Sequence, residues 1–279
     1  MKYCVPYNRK FKYKNEIDEI IVPFNDSLEF FRTLIKKESL HRSRIILEIK
    51  DSKAFYDDRE SFYPMFSELQ LNHAEIRFAL LFDKYHDSIK DLYAELKERK
   101  VDFFFSTYVR DWDAFHGIMS IGVSDIYIVE SLAFELNLLG PAARAKGISI
   151  RVFANVCQSS WGKDNSLKSF FIRPEDVAAY EPFVDVIEFY GDQKTQEVMY
   201  KVYAKDGKWY GDLREIINGL EIELDSRYIL PVFAEARVGC GKKCLKGKPC
   251  RICERLIETS QTMKEHGLMV RVKKAVNEE

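Results

Sequence analysis

The sequence predicts an α/β fold, and three observations predict it. Short β-branched or aromatic runs recur along the 279 residues. Amphipathic segments of helical period separate most of them. No Gly-rich phosphate loop follows any run: neither the dinucleotide fingerprint nor the P-loop is present. A repeated βα rhythm implies parallel strands, and eight such units close into a TIM-like (β/α)8 barrel. The alternative is an open doubly wound sheet, which the missing phosphate loop disfavours.

The strand candidates, in order, are CVPYN (4–8), EIIVPF (19–24), RIILEI (44–49), IRFALLF (76–82), VDFFFST (101–107), DIYIVE (125–130), ISIRVFAN (148–155), VDVIEFYG (184–191) and YILPVFAE (228–235). Near-continuous apolar runs of this kind suit strands buried on both faces. A barrel needs eight, so one of the nine is an extra or edge piece. Between them, SIKDLYAELKERK (88–100) puts Ile89, Leu92, Tyr93 and Leu96 on one helical face. Residues 112–122 and 133–147 each end on a Gly before the next strand, as a helix C-terminus does. RPEDVAAYEPF (173–183) starts with Pro174 in a first helical turn, where Glu175 and Asp176 favour the positive end of the dipole. Residues 193–227 are the least regular stretch, with helical pieces at 193–204 and 212–218 around the turn signal DGKWYGD; they read as an insertion before the last strand.

The chain is 46% hydrophobic, enough to bury a sizeable core. It reads as a single barrel domain over 1–279, with a cysteine-rich segment at 239–255 after the last strand. A net charge of −1 gives no global basic field to announce nucleic-acid binding, leaving only a local basic patch for that role. The opening MKYCVPYNRKFKYK lacks the apolar stretch of a signal peptide. No apolar run approaches the ~20 residues of a membrane span. The expectation is a cytoplasmic protein, with homo- or hetero-oligomerisation left open.

Four of the six cysteines fall within fourteen residues, Cys240 to Cys253, in the spacing C-x3-C-x5-C-x2-C. In a reducing compartment, clustered thiols favour metal or redox chemistry over disulfides. Cys240, Cys244, Cys250 and Cys253 suit a closed zinc site or an iron–sulfur cluster, and spacing does not choose between them. The bland alternative is four reduced thiols. Lys242, Lys243, Lys246, Lys248 and Arg251 would lower thiol pKa values, offset thiolate charge or contact phosphates; otherwise they are a solvated loop. Cys4, inside a strand candidate, reads as a buried core residue.

Barrel active sites lie at the carboxyl ends of the strands. The positions there are Asn8, Thr107, Tyr108, Arg110, Glu130, Ser131, Asn155, Cys157, Tyr190, Gly191, Asp192, Glu235 and Arg237. Cys157 would share that face with the late cysteines. The five histidines are scattered without an H-x3-H pair, and G-x-S-x-G is absent, which excludes HExxH zinc hydrolases and disfavours serine hydrolases. Arg173, ahead of a rigid helix start, is suited to forking onto a carboxylate or phosphate, with capping and a surface ion pair as the plainer reading.

The stretch FFIRPEDVAAYEPFVDVIEFYG resembles a segment of the collagenase-like U32 peptidase family. Upstream, GVSDIYIVESLAFELNLLGPAARAKGISIRVFANVC is similar to that family's strand–helix–strand ending in Asn and Cys, and MKYCVPYN resembles its short first strand. The resemblance spans residues 1–8 and 75–191, with IRPED its most specific part. It implies a TIM-like barrel and, as in several members, a [4Fe–4S] cluster on Cys157 plus the later cysteines; zinc is the alternative. It also implies an oxygen-independent hydroxylase or related modification enzyme acting on RNA or a small aromatic molecule. Collagenase-like proteolysis and a non-catalytic scaffold with structural zinc are the alternatives. On the enzyme reading Asn155, Asp192 and Glu235 line the pocket and Arg173 holds an anionic group. The chain departs from the family pattern twice. CQSSWGKD lacks the second Cys and the Pro, and Glu188 to Asp192 replaces a basic strand end with an acidic one.

Overall fold

A computed structural model describes residues 1–23, 44–49, 58–72, 76–82, 88–101, 103–121, 123–157, 170–240 and 251–269. Eight strands run through it: β1 (Lys2–Pro6), β2 (Glu19–Pro23), β3 (Arg44–Ile49), β4 (Ile76–Phe82), β5 (Phe103–Val109), β6 (Asp125–Ile128), β7 (Ser149–Phe153) and β8 (Val186–Glu188). Each pairs in parallel with its neighbour in the chain. β8 also pairs with β1, Cys4 lying opposite Glu188, so the ring of hydrogen bonds closes.

The helices that cover the ring are α1 (Arg59–Asn72), α2 (Ser88–Glu98), α3 (Trp112–Ile121), α4 (Leu136–Arg144), α5 (Val177–Tyr180) and α6 (Gln193–Tyr200). Leu92 and Leu96 of α2 are each 1% exposed, as the 3.6-residue period requires. Three-residue and six-residue 3-10 turns lead into α5 (Pro174–Asp176) and α4 (Glu130–Glu135). The link from β1 to β2 departs from the βα rhythm. Residues 7–18 form turns without a helix, pinned by buried Phe11 and Ile17. Phe11 and Tyr13 meet Tyr200 of α6 edge-on or tilted, at 6.3 and 5.1 Å between ring centres.

The two-residue period of a strand sorts its side chains into two environments. Ile20, Val22, Ile45, Leu47, Ile126, Ile128, Ile150, Val152 and Ile187 point outward and join one core with the helices. Cys4, Ile21, Ile46 and Val186 form a separate small cluster. Their positions, two residues on from Lys2, Glu19 and Arg44 and two before Glu188, place them on the opposite parity, along the barrel axis. Cys4 is thus buried, as expected.

The ninth strand candidate is not a strand. Within 228–235, Ser226–Tyr228 is a 3-10 turn and Val232–Arg237 is a helix, α7, with Pro231 at its N-cap. The physical reason is twofold. β1 and β8 have already satisfied each other's edges, and VFAEAR holds two alanines, a glutamate and an arginine, all better helix than strand formers. Residues 193–227 therefore follow the barrel rather than interrupt it. Within the expected helical piece at 212–218, only Leu213–Glu215 is a 3-10 turn. The cysteine-rich segment follows α7, not a strand, and a further helix, α8 (Ile252–Glu265), comes after it.

Candidate functional site at the barrel axis

Charged residues in strands read as apolar prove to face the axis. At the amino end of the barrel, Arg151 of β7 donates from Nε to Asp125 of β6 at 2.9 Å and from Nη2 to Glu19 of β2 at 2.6 Å. Arg44 of β3 donates to Glu19 at 2.9 Å and stands 3.8 Å from Asp125. Lys2 of β1 approaches Glu19 at 3.7 Å. Two carboxylates and two guanidiniums thus balance within a buried layer. Burial works to raise Glu19, but Arg151 and Arg44 outweigh it and its pKa ends below the ordinary range. Burial prevails at Asp125, which ends above its ordinary value despite both arginines. Such a layer specifies register more than it stabilises, because desolvation offsets the attraction.

At the carboxyl end sits a different group. Glu188, the last residue of β8, accepts a short hydrogen bond from the Tyr127 hydroxyl of β6. The two strands are separated by β7, so the bond spans the barrel interior. Burial pushes Glu188 up to about 7, against the pull of Tyr127 and Arg151; Glu48 of β3 and Glu19 push it further. With Arg151 hydrogen-bonded to Glu19 and Asp125, its positive charge acts on Glu188 through space. Burial and the nearby Glu188 carboxylate likewise raise the Tyr127 phenol well above its usual value. Rings from three consecutive strands line this end. Tyr127 stacks on Phe153 at 5.3 Å between centres, and Tyr108 lies 5.5 Å from Tyr127 and 6.4 Å from Phe153. Glu188 and Tyr127 are buried, while Tyr108, Phe153 and Glu48 are half-exposed.

Sequence reasoning noted Tyr108 but missed Glu188 and Tyr127 as site residues. The available signal was parity. Glu19, Arg44, Asp125, Arg151 and Glu188 all sit inside runs that otherwise read as fully buried, and a charge there must have a partner or a function.

The expected site residues fall in three places. Asn155, just past β7, is fully buried. Its amide donates to the Tyr190 carbonyl and its carbonyl accepts from the Tyr190 amide, both at 2.8 Å. This two-point clasp ties the β7 exit to the β8 exit. Asp192 caps α6, accepting from the Thr195 amide at 2.8 Å, and that bond holds its carboxyl below the usual range. Arg173 is buried and bidentate to Asp176, at 2.6 Å on each arm, with its guanidinium 4.8 Å from the Phe233 ring centre. Glu175 accepts from the Trp209 amide at 2.7 Å and the Ser226 hydroxyl at 2.9 Å. The IRPED stretch therefore fastens the chain beyond the barrel onto the β7–β8 connection. Glu235 lies on α7, exposed, not at a strand end.

Cys157 follows a parallel bridge between Val156 and Asn218, its amide donating to the Asn218 carbonyl at 2.8 Å. Burial pushes its thiol up to about 11; Arg237 opposes and Glu221 adds to this. Arg237 is itself buried among Phe171, Phe233 and Phe134, at 4.3, 4.9 and 5.3 Å from their ring centres. Three residues on, the Cys240 amide donates to the Arg237 carbonyl at 3.2 Å. Cys157, Cys240 and Cys253 are half-buried and pack on the same core. In donor type they suit a thiolate-bound centre. Among the described residues no three Cys, His, Asp or Glu stand together to hold a metal. Cys244 and Cys250, the other two cysteines expected to hold a centre, lie outside the described residues.

No helix among the described residues is long and apolar enough to cross a membrane. No family model matches the chain, and no curated protein matches it. Solved structures with similar backbones include RipC from Yersinia pestis, 10% identical at a TM-score of 0.42 over 72% of this chain and 94% of that one. The U32 peptidase Mk0906 is 12% identical at a TM-score of 0.44, over 69% and 93%. A structure of the tryptophan synthase complex from Pyrococcus furiosus gives 12% and 0.43, over 77% and 97%. The fold assignment rests on the strand pairings themselves.

Proposed function

We propose that this chain is a U32-like barrel enzyme that holds a [4Fe–4S] cluster on Cys157 and the late cysteines. Its reaction is an oxygen-independent hydroxylation or a related modification of RNA or a small aromatic substrate. The observation that carries the reading is the convergence on Arg237: its charge acts on Cys157, and its carbonyl accepts from the Cys240 amide. Two cysteines separated by more than eighty residues thereby neighbour one buried arginine, whose charge opposes the burial that holds the Cys157 thiol up at about 11. Three of Cys240, Cys244, Cys250 and Cys253 would complete a four-thiolate set with Cys157, and a bound cluster would supply one-electron transfer. Asn155 fixes the β7 and β8 exits relative to each other, Arg173 with Asp176 holds the following segment, and Asp192 and Glu235 offer exposed carboxylates.

Anaerobic purification with iron, sulfide and zinc analysis tests this. About four iron and four sulfide per chain, lost in Cys157→Ser, is the expected result. A colourless protein with stoichiometric zinc would move the reading to a structural zinc scaffold. Gelatin turnover that survives removal of the cysteines would move it to a peptidase.

A further inference from the structure

We propose that Tyr127 and Glu188 form a proton-transfer site at the carboxyl mouth of the barrel, built for a planar, weakly basic nitrogen heterocycle. The site is independent of the thiolate centre. First, the location is where barrel chemistry occurs: both side chains reach the axis at the carboxyl ends of their strands. Second, the geometry is selective. The Tyr127 hydroxyl occupies one oxygen of the Glu188 carboxyl group, Oε2. That bond orients the group and leaves Oε1 for a ligand. Third, the walls suit a flat ring. Tyr108 and Phe153 pack on Tyr127 with ring centres within 6.4 Å of one another, and both are half-exposed, so each keeps part of an aromatic surface for a ligand.

Charge decides the ligand's sign. The groups acting on Glu188 are Cys4 of β1, Glu19 of β2, Glu48 of β3, Tyr127 of β6 and Arg151 of β7. The arginine charges of the lower layer are matched by Glu19 and Asp125. Glu48 and Glu188 add negative charge above it. A ring that becomes cationic on binding is favoured there, and an anion is not. The step is a simple transfer. The Glu188 O–H bond breaks, an N–H bond forms on the ring nitrogen, and a carboxylate–heterocycle ion pair results. No redox partner takes part. A carboxyl group that titrates near neutrality is matched to such a base.

The test uses 2-aminopyridine as probe and the whole chain, by calorimetric titration from pH 5 to 9. Pairing requires one proton shared between ring and carboxyl, so affinity should follow a bell in pH. Glu188→Gln should weaken binding by about tenfold or more and flatten the bell. Tyr127→Phe keeps the ring wall but removes a bond that lowers the Glu188 pKa; it should shift the bell to higher pH. Difference infrared should show the Glu188 carboxylic C=O band disappear on binding at neutral pH. The proposal is overturned by any of three results: no saturable binding, a flat pH profile in the unaltered protein, or both variants binding with its affinity and profile. Iron and zinc content measured on the same samples keeps this outcome separate from that of the cluster.

Discussion

Arg173 is fully enclosed, with Asp176 on its fork and Phe233 against its face. A lysine there would keep the charge but lose one arm of the fork and the planar contact. Arg173→Lys should cost about 3 kcal/mol in urea unfolding, with Asp176→Asn close to it because each leaves the other charge ill-paired. The sequence had exposed this residue's aptitude without its partner. A guanidinium ahead of a helix start suits an anion of any origin, and only the packed structure brings a carboxylate three residues away under the same apolar cover. The position of Cys157 and Asn155 just past β7 was legible because they follow a strong strand signal directly. Glu188 was not, because an apolar run hides parity until the neighbouring strands are in register.

At the scale of elements, the exits of the strands are held by turns with strict stereochemistry. Gly191, between β8 and the Asp192 cap, has φ +126°, and an added Cβ would lie 2.7 Å from Thr195 of α6. Gly147, after α4, has φ +71° but open space around it. Gly191→Ala should therefore lose about 1–3 kcal/mol and disturb the α6 start, whereas Gly147→Ala should lose about 1. Thermal unfolding of both variants checks the difference. Eight of the nine expected strands were legible because apolar runs between helical patterns leave few alternatives. The ninth failed for a reason outside its own residues: YILPVFAE has a strand's composition at its start, but no edge of the ring was left to receive it. The β1–β2 link was missed as an irregular crossover because its two anchors, Phe11 and Ile17, sit six residues apart, without a helical repeat between them.

Across the whole molecule, the axis is a column of charge graded from a balanced layer at one end to the proton-holding Glu188, with Glu48 acting on it, at the other. This gives a sign to the pH dependence of stability. Folding raises Glu188 from 4.5 to about 7, so between those values the folded chain binds a proton that the unfolded chain has released. Stability should fall as pH rises through this window, on the order of 3 kcal/mol in total. Above it both states are ionised and the loss is complete. Glu188→Gln should remove the slope, as chemical denaturation at pH 5 and pH 8 would show. A slope that persists in the variant would assign the effect to other buried groups.

The pairing of β1 with β8 also has a temporal side. During synthesis the Lys2–Pro6 segment emerges about 180 residues before its second partner, Val186–Glu188. At ribosomal speeds of about 5–20 residues per second, that is a wait on the order of 10–40 s with one flank open. Everything after β8, including IRPED's distant fastenings and α7, can lock down only on a cylinder already completed. A nascent chain stalled short of Val186 would thus be a natural client for chaperones.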